Sequence, residues 1–166
     1  LIVIDVSDPA APVQVGSLNV TGNLRDIAVS GNHAYVATAR NNAEVVTVDI
    51  STPTAPVEVD TLNLPRNRDA RGLALVGNRL YVVRQSDNKA DEFFTLDIST
   101  PAAPSILGSE ELGSGTNYDV AVSGNYAYVA GTDNNEEVRI VDISTPATPL
   151  FVDDEDLANN SNAFAI

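Results

Sequence analysis

Four carboxylates stand at one recurring place in this sequence. Asp5, Asp49, Asp97 and Asp142 are spaced by 44, 48 and 45 residues. A ring of carboxylates could hold a cation or pass protons. Each of these, however, is followed by a Ser two residues on and a Pro four residues on. A carboxylate just before a turn accepts the backbone amides of that turn. The sequence therefore predicts a structural role for all four. The single histidine, His33, follows a Gly-Asn pair, and Arg79 and Tyr126 occupy its equivalent positions. A triad needs a histidine between a nucleophile and an orienting acid, and nothing here sets one up. Two acidic runs, Asp133-Asn134-Asn135-Glu136-Glu137 and Asp153-Asp154-Glu155-Asp156, are rich in oxygen ligands. Calcium takes about 6–8 oxygens at defined spacing, and neither run has the Asp-x-Asp-x-Asn-Gly loop. We read both as solvated loops. No catalytic residue, metal site or cofactor is assigned.

The elements that carry these residues repeat too. Val48-Asp49-Ile50-Ser51-Thr52-Pro53 returns as 96–101 and 141–146, with a variant at 4–9. A second Pro follows three residues later each time, at 12, 56, 104 and 149. In the same phase runs Asp26-Ile27-Ala28-Val29-Ser30-Gly31-Asn32, then Tyr35-Val36. Its equivalents lie at 72–78 with Tyr81-Val82 and at 119–125 with Tyr128-Val129. A further copy is read at Ala163-Phe164-Ala165-Ile166, aligning Ala165 with Ala28, Ala74 and Ala121. One period holds four strand signals: A at 26–30, B at 34–38, C at 45–50 and D at 57–62. Gly-Asn between A and B is a two-residue hairpin signal. Pro ends strand C because it has no amide to give a ladder.

Four antiparallel strands per ~45 residues is the period of a propeller blade. Strand C is apolar on both faces, as stacked sheets require: Ile2, Ile4 and Val6 on one side, Leu1 and Val3 on the other. Tyr35, Tyr81 and Tyr128 are read as core. The expectation is an all-β fold: a β-propeller of four-stranded antiparallel blades in an incomplete ring. About three full blades are flanked by partial ones, with repeats near 1–44, 45–92, 93–137 and 138–166. A β-helix competes less well, because its coils are shorter and lack tight hairpins. A four-bladed ring mixing Leu1–Ser17 with Asn162–Ile166 is the other arrangement. Open strand edges lead us to expect association or aggregation of this piece alone.

Composition narrows the function. The 166 residues carry nine Lys and Arg against 23 Asp and Glu, a net charge of −14. That balance excludes a nucleic-acid backbone as partner. There is no Cys, Met or Trp, so no thiolate chemistry or disulfide framework. The missing Met suggests a processed chain or a piece of a longer one. No apolar run approaches the ~18 residues of a membrane-spanning helix. Charge is uneven: residues 1–89 hold nine acids and eight bases, whereas 90–166 hold fourteen acids and one base. Lys89 is the only lysine. Arg66, Arg68 and Arg71 could form a positive strip toward an acidic partner, but an ordinary solvated acidic surface accounts for the asymmetry.

Leu1-Ile2-Val3-Ile4-Asp5 with Val6-Ser7-Asp8-Pro9-Ala10-Ala11-Pro12, and the run 119–130, closely resemble the LVIVD repeat. Later copies depart from the namesake as Val45-Val46-Thr47-Val48-Asp49, Phe93-Phe94-Thr95-Leu96-Asp97 and Val138-Arg139-Ile140-Val141-Asp142. All keep strand character and the Asp. The resemblance implies a propeller in a bacterial or archaeal protein, often exported or surface-attached, with no catalytic motif.

In an up-and-down blade, the A–B and C–D turns share one end, and the B–C and D–A loops share the other. The first pair repeats nearly verbatim. The second pair varies: B–C at 38–44, 85–92 and 131–137, and D–A at 65–71, 113–117 and 153–161. Loops that vary are where a specific surface can be built. A protein or small-molecule partner is therefore expected on the loop end. Arg25, Asp26, Arg71, Tyr118 and Asp119, at the starts of successive A strands, are the candidate binding residues. The functional expectation is a non-catalytic protein-interaction or structural module, extracellular or at the cell surface. It would join the remaining blades of the same protein. The alternatives are a hydrolase or lyase with its site at the channel mouth, and a calcium-dependent adhesion module.

Overall fold

A computed structural model of the protein describes residues 1–86, 91–132, 136–157 and 162–166. These residues hold fourteen strands and no helix. β1 (Ile2–Asp5) and β2 (Val13–Ser17) form a two-stranded sheet. Three four-stranded sheets follow. The first is β3 (Leu24–Ser30), β4 (His33–Thr38), β5 (Val45–Asp49) and β6 (Val57–Leu62). The second is β7 (Ala70–Val76), β8 (Arg79–Arg84), β9 (Phe93–Asp97) and β10 (Ser105–Glu110). The third is β11 (Asn117–Ser123), β12 (Tyr126–Gly131), β13 (Val138–Asp142) and β14 (Leu150–Glu155). Every neighbouring pair is antiparallel and joined in chain order, the up-and-down strand order of a propeller blade. The predicted C–D, ABCD, ABCD, ABCD series is present. The last predicted A strand is not: residues 163–166 are described but form no strand.

Local chemistry explains the regularity. Gly31, Gly77 and Gly124 have φ of 54°, 56° and 58°. That left-handed conformation closes a two-residue hairpin at little cost only for Gly. In the C–D turns, the amides of Ala11, Ala55, Ala103 and Thr148 donate to the carbonyls three residues back. The A–B turn is then tied to the end of strand C. Ile50, Ile98 and Ile143 donate to the carbonyls of Asn32, Asn78 and Asn125 at 2.8, 3.1 and 2.8 Å. Both turns therefore lie at one end of each blade, as expected.

The core sits between sheets. Val46 and Val48 of β5 face the two-stranded sheet, with Ala34, Val36 and half-buried Leu1 and Leu18. Val45 of the same strand joins Tyr35, Leu64, Leu73, Phe94 and Leu96 between the first two blades. Tyr81, Phe93, Val120, Val129 and Val141 fill the next interface. β5 and β9 are buried on both faces, whereas β13 alternates buried and half-buried residues. Tyr35 and Tyr81 are core residues as predicted, but Tyr128 in the third blade is only half-buried. Its equivalents pack into the interface with the following blade, and no full blade follows it among the described residues.

Candidate functional site at the loop end of the blades

The turn end is built identically four times. The amides of Ser7, Ser51, Ser99 and Ser144 donate to Oδ1 of Asp5, Asp49, Asp97 and Asp142 at 2.7–2.8 Å. The structural role predicted for these carboxylates is the one they have. Hydrogen bonds from the amide and hydroxyl of that Ser hold all four acids below the usual carboxylate range, with the hydroxyl leading at Asp49. Arg79 adds an ion pair to Asp97 at 3.1 Å.

The loop end is different in every blade. Its innermost row starts at a bulge. Leu24 pairs with Thr38 but Asp26 with Ala37, so Arg25 is the extra residue. Arg71 and Tyr118 are extra in the same way at the starts of β7 and β11. A bulge leaves one residue outside the ladder and re-aims its side chain. Three of the predicted site residues are thus thrown out of their sheets at equivalent points. They meet along the row: the Arg71 guanidinium carbon lies 4.9 Å from the Tyr118 ring centroid, and Tyr118 meets Phe164 edge-on at 5.1 Å. Arg25 turns aside to pair with Asp69 at 3.3 Å.

The other two candidates link blades. Asp26 Oδ2 accepts the amide of Leu73 at 2.7 Å, from a strand 47 residues away. Asp119 Oδ2 accepts the amide of Ile166 at 3.0 Å across the same separation. The middle blade carries Gly72 at this position. A Cβ there would stand 2.7 Å from Asp119 Cα, so close approach of the strands replaces the carboxylate link. The bond to Ile166 also corrects the alignment of the last copy. Ile166 corresponds to Leu73, which places Phe164 opposite Tyr118 and Ala165 opposite Asp119. Ala163 N then donates to Gly131 O at 3.0 Å, while Asn117 Nδ2 donates to Arg84 O, the equivalent carbonyl, at 3.2 Å. Small residues recur along strand A, and matching Ala to Ala misplaced the register by two.

Further from the axis, the loops are pinned by buried charge. Glu44, Glu92 and Glu137 are all buried. Each carboxylate accepts, through Oε2 at 2.8 Å, the amide twenty residues later: Leu64, Leu112 and Leu157. The glutamate that ends each B–C loop thus fastens the following D–A loop. Burial pushes the Glu92 carboxyl up, against the opposing pull of the Leu112 amide. Two arginines are also buried. Arg84, from strand B of the second blade, lies over Phe94 at 4.8 Å. It donates to the carbonyls of Pro65 and Asp91. In the third blade the guanidinium comes from strand C instead. Arg139 donates to Asn117 Oδ1 at 2.9 Å and Ser114 O at 2.6 Å, and pairs with Glu136. The strand-B residue there is Gly131, whose Cβ would meet Arg139 Nη1 at 2.8 Å. Phe94 and Arg139 are equivalent, as are Arg84 and Gly131, so the large residue and its accommodating partner have exchanged strands.

Between the outer strands of the second and third blades lies an open cleft of about 560 Å³. Asp91, Glu110, Glu111, Glu136 and Asp154 line it with Leu112 and Phe151. Several of these carboxylates are engaged: Ser109 donates to Asp91, the Phe151 amide to Glu110, and Arg139 pairs with Glu136. Among the described residues, no three acids or histidines stand close enough together to hold a metal ion. The run 133–135, Lys89 and the loop segments 87–90 and 158–161 lie outside the described residues. His33 is half-buried at the turn end and pairs across the ladder with Asp49.

The buried glutamates and arginines are what the sequence reading missed. One signal was present: Glu44, Glu92 and Glu137 each precede the repeat Asp by five residues. The arginines gave none, because their equivalents are Thr38 and Gly131 in strand B, and Val46 and Phe94 in strand C.

Comparison with known proteins agrees with this geometry. The designed protein Ika4 is 19% identical, with a TM-score of 0.64 over 91% of this chain and 83% of that one. The designed protein Ika8 gives 18% identity and 0.67 over 92% of this chain. A chain of the nidogen/laminin complex gives 15% and 0.65 over 95%. This chain spans 42% of the Ika8 chain and 56% of the nidogen/laminin chain. At these identities the likeness is one of fold. Among curated proteins no sequence matches this chain. The LVIVD repeat model matches residues 1–20, 21–63, 67–110 and 114–154, the observed period counted from strand A. Four matches in register with one two-stranded and three four-stranded sheets place the chain in the LVIVD-repeat family, with a β-propeller fold.

Proposed function

We propose that this propeller is a non-catalytic protein-interaction module of an exported or cell-surface bacterial or archaeal protein, and that its partner docks on the loop end. The observation that carries the reading is the row of bulged residues. Three blades project Arg25, Arg71 and Tyr118 from equivalent positions, yet the two arginines take different partners, Asp69 and the Tyr118 ring, and the third blade presents a tyrosine. A turn end that repeats the same Asp–Ser bond four times offers a partner only one small motif. Buried Glu44, Glu92 and Glu137 hold the surrounding loops in place, so the surface is preorganised and little ordering entropy is lost on binding.

The test needs a partner, obtained by capture on the immobilised chain from an extract of a LVIVD-protein-producing cell and then purified. Tyr118→Ala and Arg71→Ala should each weaken its binding by about tenfold and leave the fold intact. Thr54→Glu and Ala102→Glu at the turn end should leave affinity unchanged. The reverse pattern would move the binding face to the turns. Turnover of the captured molecule would replace the interaction reading with an enzymatic one.

A further inference from the structure

Arg25 and Arg71 are the same residue at the same bulge of adjacent blades, and only Arg25 has an acid. Its partner at 3.3 Å is Asp69, in the loop that leads into the next blade. One blade on, the place of Asp69 is held by Thr116. The equivalence is fixed by the backbone: Gln85 N donates to Asp69 O at 3.1 Å and Thr132 N to Thr116 O at 3.0 Å. A threonine carries no charge, so the acid that neutralises Arg25 has no counterpart for Arg71. Arg71 lies over the Tyr118 ring instead, and its Nε is buried without an acceptor. Among the described residues no carboxylate pairs with it, whereas Arg40, Arg79 and Arg139 each have one. The carboxylates on the two flanking strands are committed to amides. Asp26 accepts those of Ile27 and Leu73, and Asp119 those of Val120 and Ile166. Arg71 belongs to the middle blade, with a complete four-stranded blade packed on each side. A missing neighbour is therefore not what leaves it unpaired.

The loop before Arg71 is shaped against local preference. Arg66 and Asn67 hold φ of 72° and 50°. Counted from the stapled Leu64 and Leu112, Asn67 stands where Gly115 does, at 87°. Side chains in this conformation cost what glycine does not, and such strain collects at functional sites. The segment is held by Asn67 Oδ1, which accepts the amide of Asn42 at 3.2 Å. It carries a second, exposed arginine, Arg66, at the same end of the blade.

We propose that Arg71 is the anchor for an aspartate or glutamate side chain of the partner protein, with Arg66 at the rim of the same contact. The inference rests on the loop-end reading and names the chemistry of what docks there. An incoming carboxylate would give Arg71 the ion pair that Arg25 has with Asp69. The Tyr118 ring shields one face of the guanidinium, and a charge-assisted bond gains strength where water is excluded. A singly charged carboxylate suits the place better than a doubly charged phosphate, because Asp26 and Asp119 stand on the strands to either side. The acids that line the cleft between outer strands lie away from this row, and salt screens charges beyond about 8 Å.

The probe is a labelled hexaglutamate peptide, capped at both ends and added to the whole chain at low ionic strength. Expected are saturable one-to-one binding that weakens with added salt, and a shift of the Arg71 Nε–H resonance. Arg71→Met keeps an apolar stem over the ring and removes the charge. It should weaken binding by at least about tenfold, and Arg71→Lys should recover part of the loss. Arg79→Met, at the turn end, should have no effect. Circular dichroism checks the fold of each variant. The proposal is overturned if hexaglutamate does not saturate, if the Nε–H resonance does not move, if Arg71→Met leaves the affinity unchanged, or if hexalysine binds as well. It is also overturned if heparin displaces hexaglutamate from Arg71 and binds more tightly, because a sulfated polysaccharide would then be the occupant. The captured partner separates this proposal from the loop-end reading. Affinity lost in Tyr118→Ala and Arg71→Ala but kept in Arg71→Met retains the loop end as the docking face and removes the acidic anchor.

Discussion

The turn end and the loop end of each blade meet the same demand, to join strands without leaving buried backbone groups unpaired. They meet it in different ways. At the turn end the solution is local: an Asp bonds the amide two residues on, and the A–B and C–D turns close on their own backbone. At the loop end some links reach much farther, twenty residues for the glutamate staples and 47 for the Asp26 and Asp119 links, and beyond the shared glutamate the blades recruit different sets. Arg84 lies over Phe94 in one blade, and Arg139 fits beside Gly131 in the next. Local solutions can be copied unchanged. Long-range solutions are shaped by the neighbouring blade and can diverge as long as the pair is matched. A surface that diverges on a fixed scaffold suits specific recognition.

The sharpest test of this contrast is to transplant one blade's solution into the next. Arg139→Phe alone leaves Asn117 Oδ1 and Ser114 O without their buried donor, and Gly131→Arg alone drives a side chain into Arg139. Each should cost about 3 kcal/mol or more in a urea titration. The double variant reproduces the Arg84–Phe94 arrangement and should be more stable than either single one. A purely additive loss would show that the two blades are not interchangeable solutions.

A smaller effect separates the glutamate staple from its charge. Glu92→Ala removes the acceptor for the buried Leu112 amide and should cost about 1–3 kcal/mol. Glu92→Gln keeps an oxygen there and should cost less. The folded carboxyl is raised, so its contribution is full below the ordinary glutamate value, near 4.3, and fades as pH rises through the folded value. Thermal melts from pH 4 to 8 should therefore lose part of their downward slope in Glu92→Gln.

The turn end should respond with the opposite sign. Asp5, Asp49, Asp97 and Asp142 are lowered in the fold. Their stabilisation is present above about pH 4 and is lost as pH falls through the folded values. Replacing the four together with Ala should shallow the acid limb of the stability curve below pH ~4. An unchanged acid limb would remove the carboxylates from the turns' energetics.

The smallest expected effects lie on the axial row, where Arg25 is exposed and Arg71 and Tyr118 are half-buried. Arg25→Ala should change stability by no more than about 1 kcal/mol, less at high salt, because the Arg25–Asp69 pair is partly solvated. Tyr118→Ala, which gives up the contacts with Arg71 and Phe164, should lose about 1 kcal/mol. Larger losses would make the row a structural spine in place of a recognition surface.

The period, the strand order, the two kinds of turn and the structural use of the repeat Asp were all determined by sequence alone. Each depends on a few consecutive residues: Gly-Asn for a left-handed hairpin, Pro to end a strand, Asp two residues before an amide. Tertiary structure decided what spans blades. It made Glu44, Glu92 and Glu137 buried staples where the sequence offered only the ends of variable loops. It set Ile166, not Ala165, as the register mark of the last copy. It put Arg25, Arg71 and Tyr118 on bulges. Such features depend on which distant strand lies alongside, and a pattern of neighbouring residues carries no record of that distance.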